Sequence, residues 1–139
     1  MRELLQDHSS QWQKSLPELS KQQYSILATV SETPGIEQVE LMEAAISSKA
    51  ALAELLSRME GKGLLKREAG EQDKRRRFIY LTPAGQALFE ASRPIADAID
   101  NRYLERVNKE QYESALFALQ TMVGKNKLTL SAEIKVQKP

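Results

Sequence analysis

Apolar residues over the first part of the chain recur at helical spacing, and proline, glycine and serine punctuate the runs. Leu4, Leu5, His8 and Trp12 line one face of a helix predicted from residue 2 to about 15. Pro17 interrupts it, and Ser20 is placed to cap a second helix carrying Tyr24, Leu27 and Ala28. Thr33-Pro34-Gly35 closes that helix. A third is predicted from Ile36, with Ile36, Val39, Met42 and Ile46 on its apolar face. Ser47-Ser48 offers the cap of a fourth, AALAELLSRMEGKG, which Gly61 and Gly63 end. The period then changes. LLKRE, a polar turn AGEQDK and RRRFIYLT read as a β-hairpin. Thr82, followed by Pro83 at a first helical position, starts a long helix through Leu88, Ser92, Ile95, Ile99 and Tyr103, with a kink expected at Pro94. Asn108 caps a last helix bearing Tyr112, Leu116, Leu119 and Val123, and residues 126–139 form a polar, basic tail.

The order predicts a mainly α chain with a small β-hairpin (α+β): three short helices and then a hairpin, the succession of a winged helix-turn-helix. In that arrangement the helix before the hairpin enters a DNA groove. Its wheel fits the role. Leu52, Leu55, Leu56 and Met59 fall at the spacing of a core face, whereas Ala50, Ala53, Glu54 and Ser57 lie opposite. Small side chains there permit close approach to a groove floor; the competing reading is a helix packed by protein on both faces.

Charge sharpens the picture. The formal net charge is only +1. Yet residues 49–77 hold nine Lys/Arg against five Asp/Glu, and the remainder holds eleven against fourteen. Lys74, Arg75, Arg76 and Arg77 concentrate this charge at the hairpin tip, where it can meet phosphates or the narrow minor groove. The bland alternative is a solvated turn. Asp73, two residues before Arg75, is placed to hold that guanidinium through a bidentate pair, or to shape the turn.

Other chemistry is constrained by what is missing. There is no cysteine and a single histidine, His8, which excludes disulfides, thiolate zinc and a multi-histidine metal site within one chain. No nucleophile elbow or phosphate-binding glycine loop occurs, and Glu37, Glu40 and Glu43 read as a solvated helical face. Neither catalytic residues nor a cofactor is expected. Without a membrane-length apolar run or a signal-peptide core, the expectation is a soluble cytoplasmic protein with no membrane partner.

LLSRMEGKGLLKRE followed by DKRRRFIYLTPAG resembles the MarR family of winged-helix transcriptional regulators, with Asp73, Arg75, Leu81, Thr82 and Gly85 at the positions of its wing signature. The string PGIEQVELMEAAISSKAALAELLSRME resembles the HosA/SlyA-type branch. The resemblance implies one domain over residues 1–139. Its winged-helix DNA-binding lobe would span about 20–85, with dimerisation helices at about 1–16 and 86–125. It further implies that Gln38 contacts phosphate, that Ser48, Lys49, Ala50 and Ala53 meet the major groove, and that Arg75 enters the minor groove steadied by Asp73. Many relatives carry Ser or Thr at the positions of Ala50, Ala51 and Ala53, and Arg at that of Glu54, so base readout here is expected to lean on thymine methyls and DNA shape. The implied partners are a palindromic operator in double-stranded DNA, a second copy of the chain, and a small aromatic acid effector near His8, Trp12 and Tyr24. The implied role is a homodimeric repressor released by such an acid. A winged helix used only for protein contact is the alternative.

Overall fold

The computed structural model describes residues 1–44 and 48–124; the expected apolar position Ile46, the alternative cap Ser47 and the tail 126–139 lie outside them. Helices α1 (Arg2–Ser15) and α2 (Lys21–Glu32) lead into a two-residue strand β1 (Ile36–Glu37) and then α3 (Gln38–Ala44). Helix α4 (Lys49–Gly61), strands β2 (Leu65–Ala69) and β3 (Arg77–Leu81), and helices α5 (Pro83–Leu104) and α6 (Lys109–Val123) follow. The chain falls into two compact units, Met1–Asp97 and Ala98–Pro139.

Local caps place most of the boundaries. The Ser20 hydroxyl accepts the amide of Gln23 at 3.1 Å, and the Gln23 side chain returns the bond to the Ser20 amide at 3.0 Å. Asn108 and Gln111 form the same reciprocal box at the start of α6. Ser48 caps α4 by accepting from the Ala51 amide.

The third helix begins later than its pattern suggests. Ile36 and Glu37 are strand residues, because β1 pairs antiparallel with β3 in the register Ile36↔Ile79 and Glu37↔Phe78. The sheet is therefore three-stranded, ordered β1-β3-β2. With Ile36 outside the helix, the predicted stripe breaks: Val39 is exposed and Leu41 is buried instead. On α5 the expected stripe holds at Ser92 and Ile99 and fails at Ile95. The helix buries Phe89, Ser92, Ala96 and Ile99, while Ile95 faces solvent.

In the first unit the core gathers Leu27 and Val30 of α2, Leu41 of α3, Leu52 and Leu56 of α4 and Ile79 of β3. Each of these side chains belongs to the apolar face of its element, so the hydrophobic term drives one common packing. On α1, only Trp12 is buried, and Leu4 and Leu5 are exposed. On α6 no residue is buried, and Phe117, Leu119, Met122 and Val123 are exposed apolar positions.

The junctions on either side of the hairpin are tied together. Leu64 precedes β2, and its carbonyl accepts the amide of Thr82, which follows β3, at 3.1 Å. The Thr82 hydroxyl donates to the Gly63 carbonyl and accepts from the Gly85 amide. Gly85 then runs so close to Leu64 that a Cβ there would stand 1.9 Å from its carbonyl oxygen. That contact explains the Leu-Thr-x-x-Gly pattern: threonine caps α5 and glycine lets the helix cross the strand junction. Gly85→Ala is expected to cost about 3 kcal/mol or more, since backbone must move to admit the methyl. Gly61→Ala, with nothing within 4 Å of its Cβ, is the control. Urea unfolding followed by circular dichroism checks this; a Gly85→Ala midpoint equal to the control's contradicts it.

Candidate nucleic-acid interface

The turn between β2 and β3 is closed by backbone bonds from Gly70 N–H to the Arg76 carbonyl and from Arg76 N–H to the Asp73 carbonyl, both 3.1 Å. Gly70 is required there, because a Cβ would lie 2.6 Å from the Asp73 carbonyl oxygen. Within this frame Asp73 accepts three bonds from Arg75: the backbone amide at 3.0 Å, Nε at 3.2 Å and Nη2 at 3.4 Å. The expected bidentate pair is present, and the turn-forming role with it. The Arg75 side chain is 92% exposed, so the carboxylate orients a guanidinium that still projects into solvent.

The four adjacent cations are not equivalent. Arg76 turns back and donates to Glu37 through Nε at 3.1 Å and Nη2 at 2.7 Å, with its guanidinium 5.1 Å from the Phe78 ring centre. Glu37 therefore sits in a strand against the wing, not on the solvated helical face its spacing suggests. Arg77 folds onto the carbonyls of Lys74 and Arg76. Lys74 is exposed.

Helix α4 presents Lys49 and Ala50 fully, with Ala53 half-buried and Glu54 and Ser57 exposed on the same side. Glu54 pairs with Arg58 at 2.9 Å, an exposed i,i+4 pair. The end of this helix is fastened to β2 by Arg67, whose guanidinium donates to Glu60 at 2.9 and 3.2 Å and to the Ser57 hydroxyl at 3.1 Å. Helix α4 and the wing thus form one braced body. Gln38 opens α3; its Oε1 is buried and accepts no hydrogen bond from the described residues.

The three predicted effector residues come together in the first unit. His8 stacks on Trp12 at 6.2 Å between centroids, and Trp12 meets Tyr24 edge-on at 5.4 Å. Phe89 of α5 extends the series, 5.7 Å from Tyr24, a member that sequence reasoning missed because it lies far along the chain. Trp12 is buried and its indole N–H donates to the Leu19 carbonyl at 2.7 Å. It therefore supplies a ring wall, its only donor being spent.

Arginine contacts hold three carboxyls below their ordinary values: hydrogen bonds from Arg75 act on Asp73, from Arg76 on Glu37 and from Arg67 on Glu60. Each favours the charged form in the folded state. Its contribution is complete above the unfolded pKa and is lost as pH falls through the depressed folded value. Carboxyl carbon NMR is expected to show Asp73 titrating below 3.8, and Glu37 and Glu60 below 4.5; midpoints at or above those values contradict the pairings. Ser48→Ala is expected to lower stability by about 1 kcal/mol through loss of the α4 cap, and Ser48→Gly by only a few tenths, as measured by chemical denaturation.

A family model described as the MarR family matches residues 19–76, the stretch from before α2 to Arg76 in the wing. The transcriptional regulator HosA of Escherichia coli O127:H6 is 45% identical over 124 residues, covering 89% of this chain and 92% of HosA. Among solved structures, AbsC of Streptomyces coelicolor, a MarR family transcriptional regulator, superposes with a TM-score of 0.79 at 26% identity, covering 92% of this chain and 87% of AbsC. The PcaV transcriptional regulator of the same organism, solved in complex with its natural ligand, gives 0.79 at 25% identity, over 88% and 87% of the two chains. With this extent of likeness, and with Asp73, Thr82 and Gly85 of the wing signature each holding a turn or a junction, the chain belongs to the MarR family of winged-helix transcriptional regulators.

Proposed function

We propose that this chain is a homodimeric repressor that reads a palindromic operator and is released by a small phenolic or aromatic carboxylic acid. The observation that carries the reading is the wing: Arg75 projects 92% exposed from a turn built around Asp73. Such an orienting carboxylate lowers the entropy lost when the guanidinium enters a minor groove, while the braced helix α4 offers Ser48, Lys49, Ala50 and Ala53 to the major groove. Gln38, at the start of α3, is assigned to the phosphate backbone.

Two further features support the assembly and its control. Exposed Leu4 and Leu5 on α1 of the first unit, and Phe117, Leu119, Met122 and Val123 on α6 of the second, are apolar positions that a second copy would cover. A two-fold protein then reads half-sites about one helical turn, ~10 bp, apart. Rings at His8, Trp12 and Tyr24 suit an aromatic acid, with the histidine as partner of the carboxylate. PcaV supplies a relative solved with its natural ligand. If ligand favours a spacing of the two α4 helices that misses successive grooves, DNA and ligand weaken each other by the same factor.

Fluorescence anisotropy with a duplex from upstream of the protein's own gene, across a salt series and with or without 4-hydroxybenzoate, tests the proposal. Tight binding with a steep negative salt slope, relieved by the acid, is the expected result. Binding that ignores the acid removes the effector assignment, and binding no stronger than to random DNA removes the operator. Arg75→Ala is expected to weaken operator binding by about 1–3 kcal/mol and to reduce the salt slope by about 1 per wing; unchanged affinity would remove Arg75 from the interface.

A further inference from the structure

The Glu37–Arg76 pair differs in kind from the other exposed ion pairs. It joins residues 39 positions apart, both guanidinium contacts are short, and the carboxylate is only 17% exposed. The i,i+4 pairs on α4, α5 and α6 link neighbouring turns of one helix and are more exposed on both sides. Glu37 is held in place by β1, which pairs with β3 opposite Phe78, and it immediately precedes Gln38 at the start of α3. The Arg76 backbone is held from the other side, by its bonds to Gly70 and Asp73 in the wing turn. Both ends of the pair are therefore fixed, and the fork geometry leaves the guanidinium little freedom to turn outward.

The two arginines at adjacent positions are handled oppositely. Asp73 sits beside Arg75 and keeps it pointing out at 92% exposure; Glu37 draws Arg76 inward against Phe78 and leaves it 52% exposed. Resting on the DNA-binding reading above, we infer that Glu37 is a positioning residue that withholds Arg76 from the DNA backbone, so that the wing engages through Arg75 and the sequence-independent part of binding is held down. Each phosphate contact adds to binding on every sequence alike, whereas groove contacts add only on the operator. A further free cation at the wing would raise both affinities by a similar factor, and random DNA would hold the protein more tightly. With its carboxylate in place the pair is neutral towards the polyanion.

The test compares salt slopes for a random-sequence duplex and the operator duplex by anisotropy. Glu37→Gln keeps the shape of the side chain and removes its charge, releasing Arg76 to a phosphate. The expected result is tighter binding to random and operator DNA alike, with both slopes steeper by about 0.9 per wing. The double variant Glu37→Gln/Arg76→Gln, which removes both charges, is expected to return the slope to the wild-type value, where Arg75→Gln makes it shallower. A misfolded variant loses affinity, so a gain cannot arise from damage to the fold. A slope unaltered by Glu37→Gln, or as steep in the double variant as in Glu37→Gln alone, overturns the inference while leaving the DNA-binding reading in place. A wild-type protein without salt-dependent binding overturns both.

Discussion

The carbonyl of Leu64 accepts the amide of Thr82, and Gly85 passes so near to the same oxygen that no side chain fits between them. The end of α4, the start of β2, the end of β3 and the start of α5 all meet there. Once that knot is tied, the five-pair register from Leu65↔Leu81 to Ala69↔Arg77 follows outward along the hairpin. Register decides facing. Ile79 points into the core with Leu52 and Leu56, and the turn carrying Asp73 and Arg75 is pushed to the far end. The same knot sets the direction in which α5 leaves the sheet. The side chains of the wing tip thus inherit their positions from a contact at the opposite end of the hairpin.

The basic wing shows how little a charge count says about what charges do. Carboxylates two and thirty-nine positions away divide the work, the nearer extending one arginine and the farther retracting its neighbour. Arg77 is turned onto backbone carbonyls of its own turn. Exposed ion pairs add little to folding free energy. Their importance here lies in where they leave the guanidinium groups, one projecting into solvent and one drawn against the sheet.

What could be read in advance was whatever acts over a few residues. Ser20, Ser48, Thr82 and Asn108 cap the helices they precede, because a cap is a bond between near neighbours. The Asp73–Arg75 pair and the shared helical face of His8 and Trp12 span two and four positions and were equally legible. The long-range features were not. Strand β1 is two residues long and exists only because β3 lies beside it, so its residues look like the first turn of α3. Glu37, in consequence, looked like one acid in a helical series. Phe89 joins Tyr24 across the first unit, with no signal in local spacing. On α5, both Ile95 and Ala96 fit an apolar stripe; packing buries the alanine and leaves the larger residue outside.

Trp12 is the chain's single tryptophan, buried where its N–H reaches the Leu19 carbonyl and its ring meets Tyr24. Indole emission therefore reports on one place alone, the seam between α1 and α2. Excited at the red edge of its absorption, beyond that of the four tyrosines, it reports the attachment of the N-terminal helix without any added label.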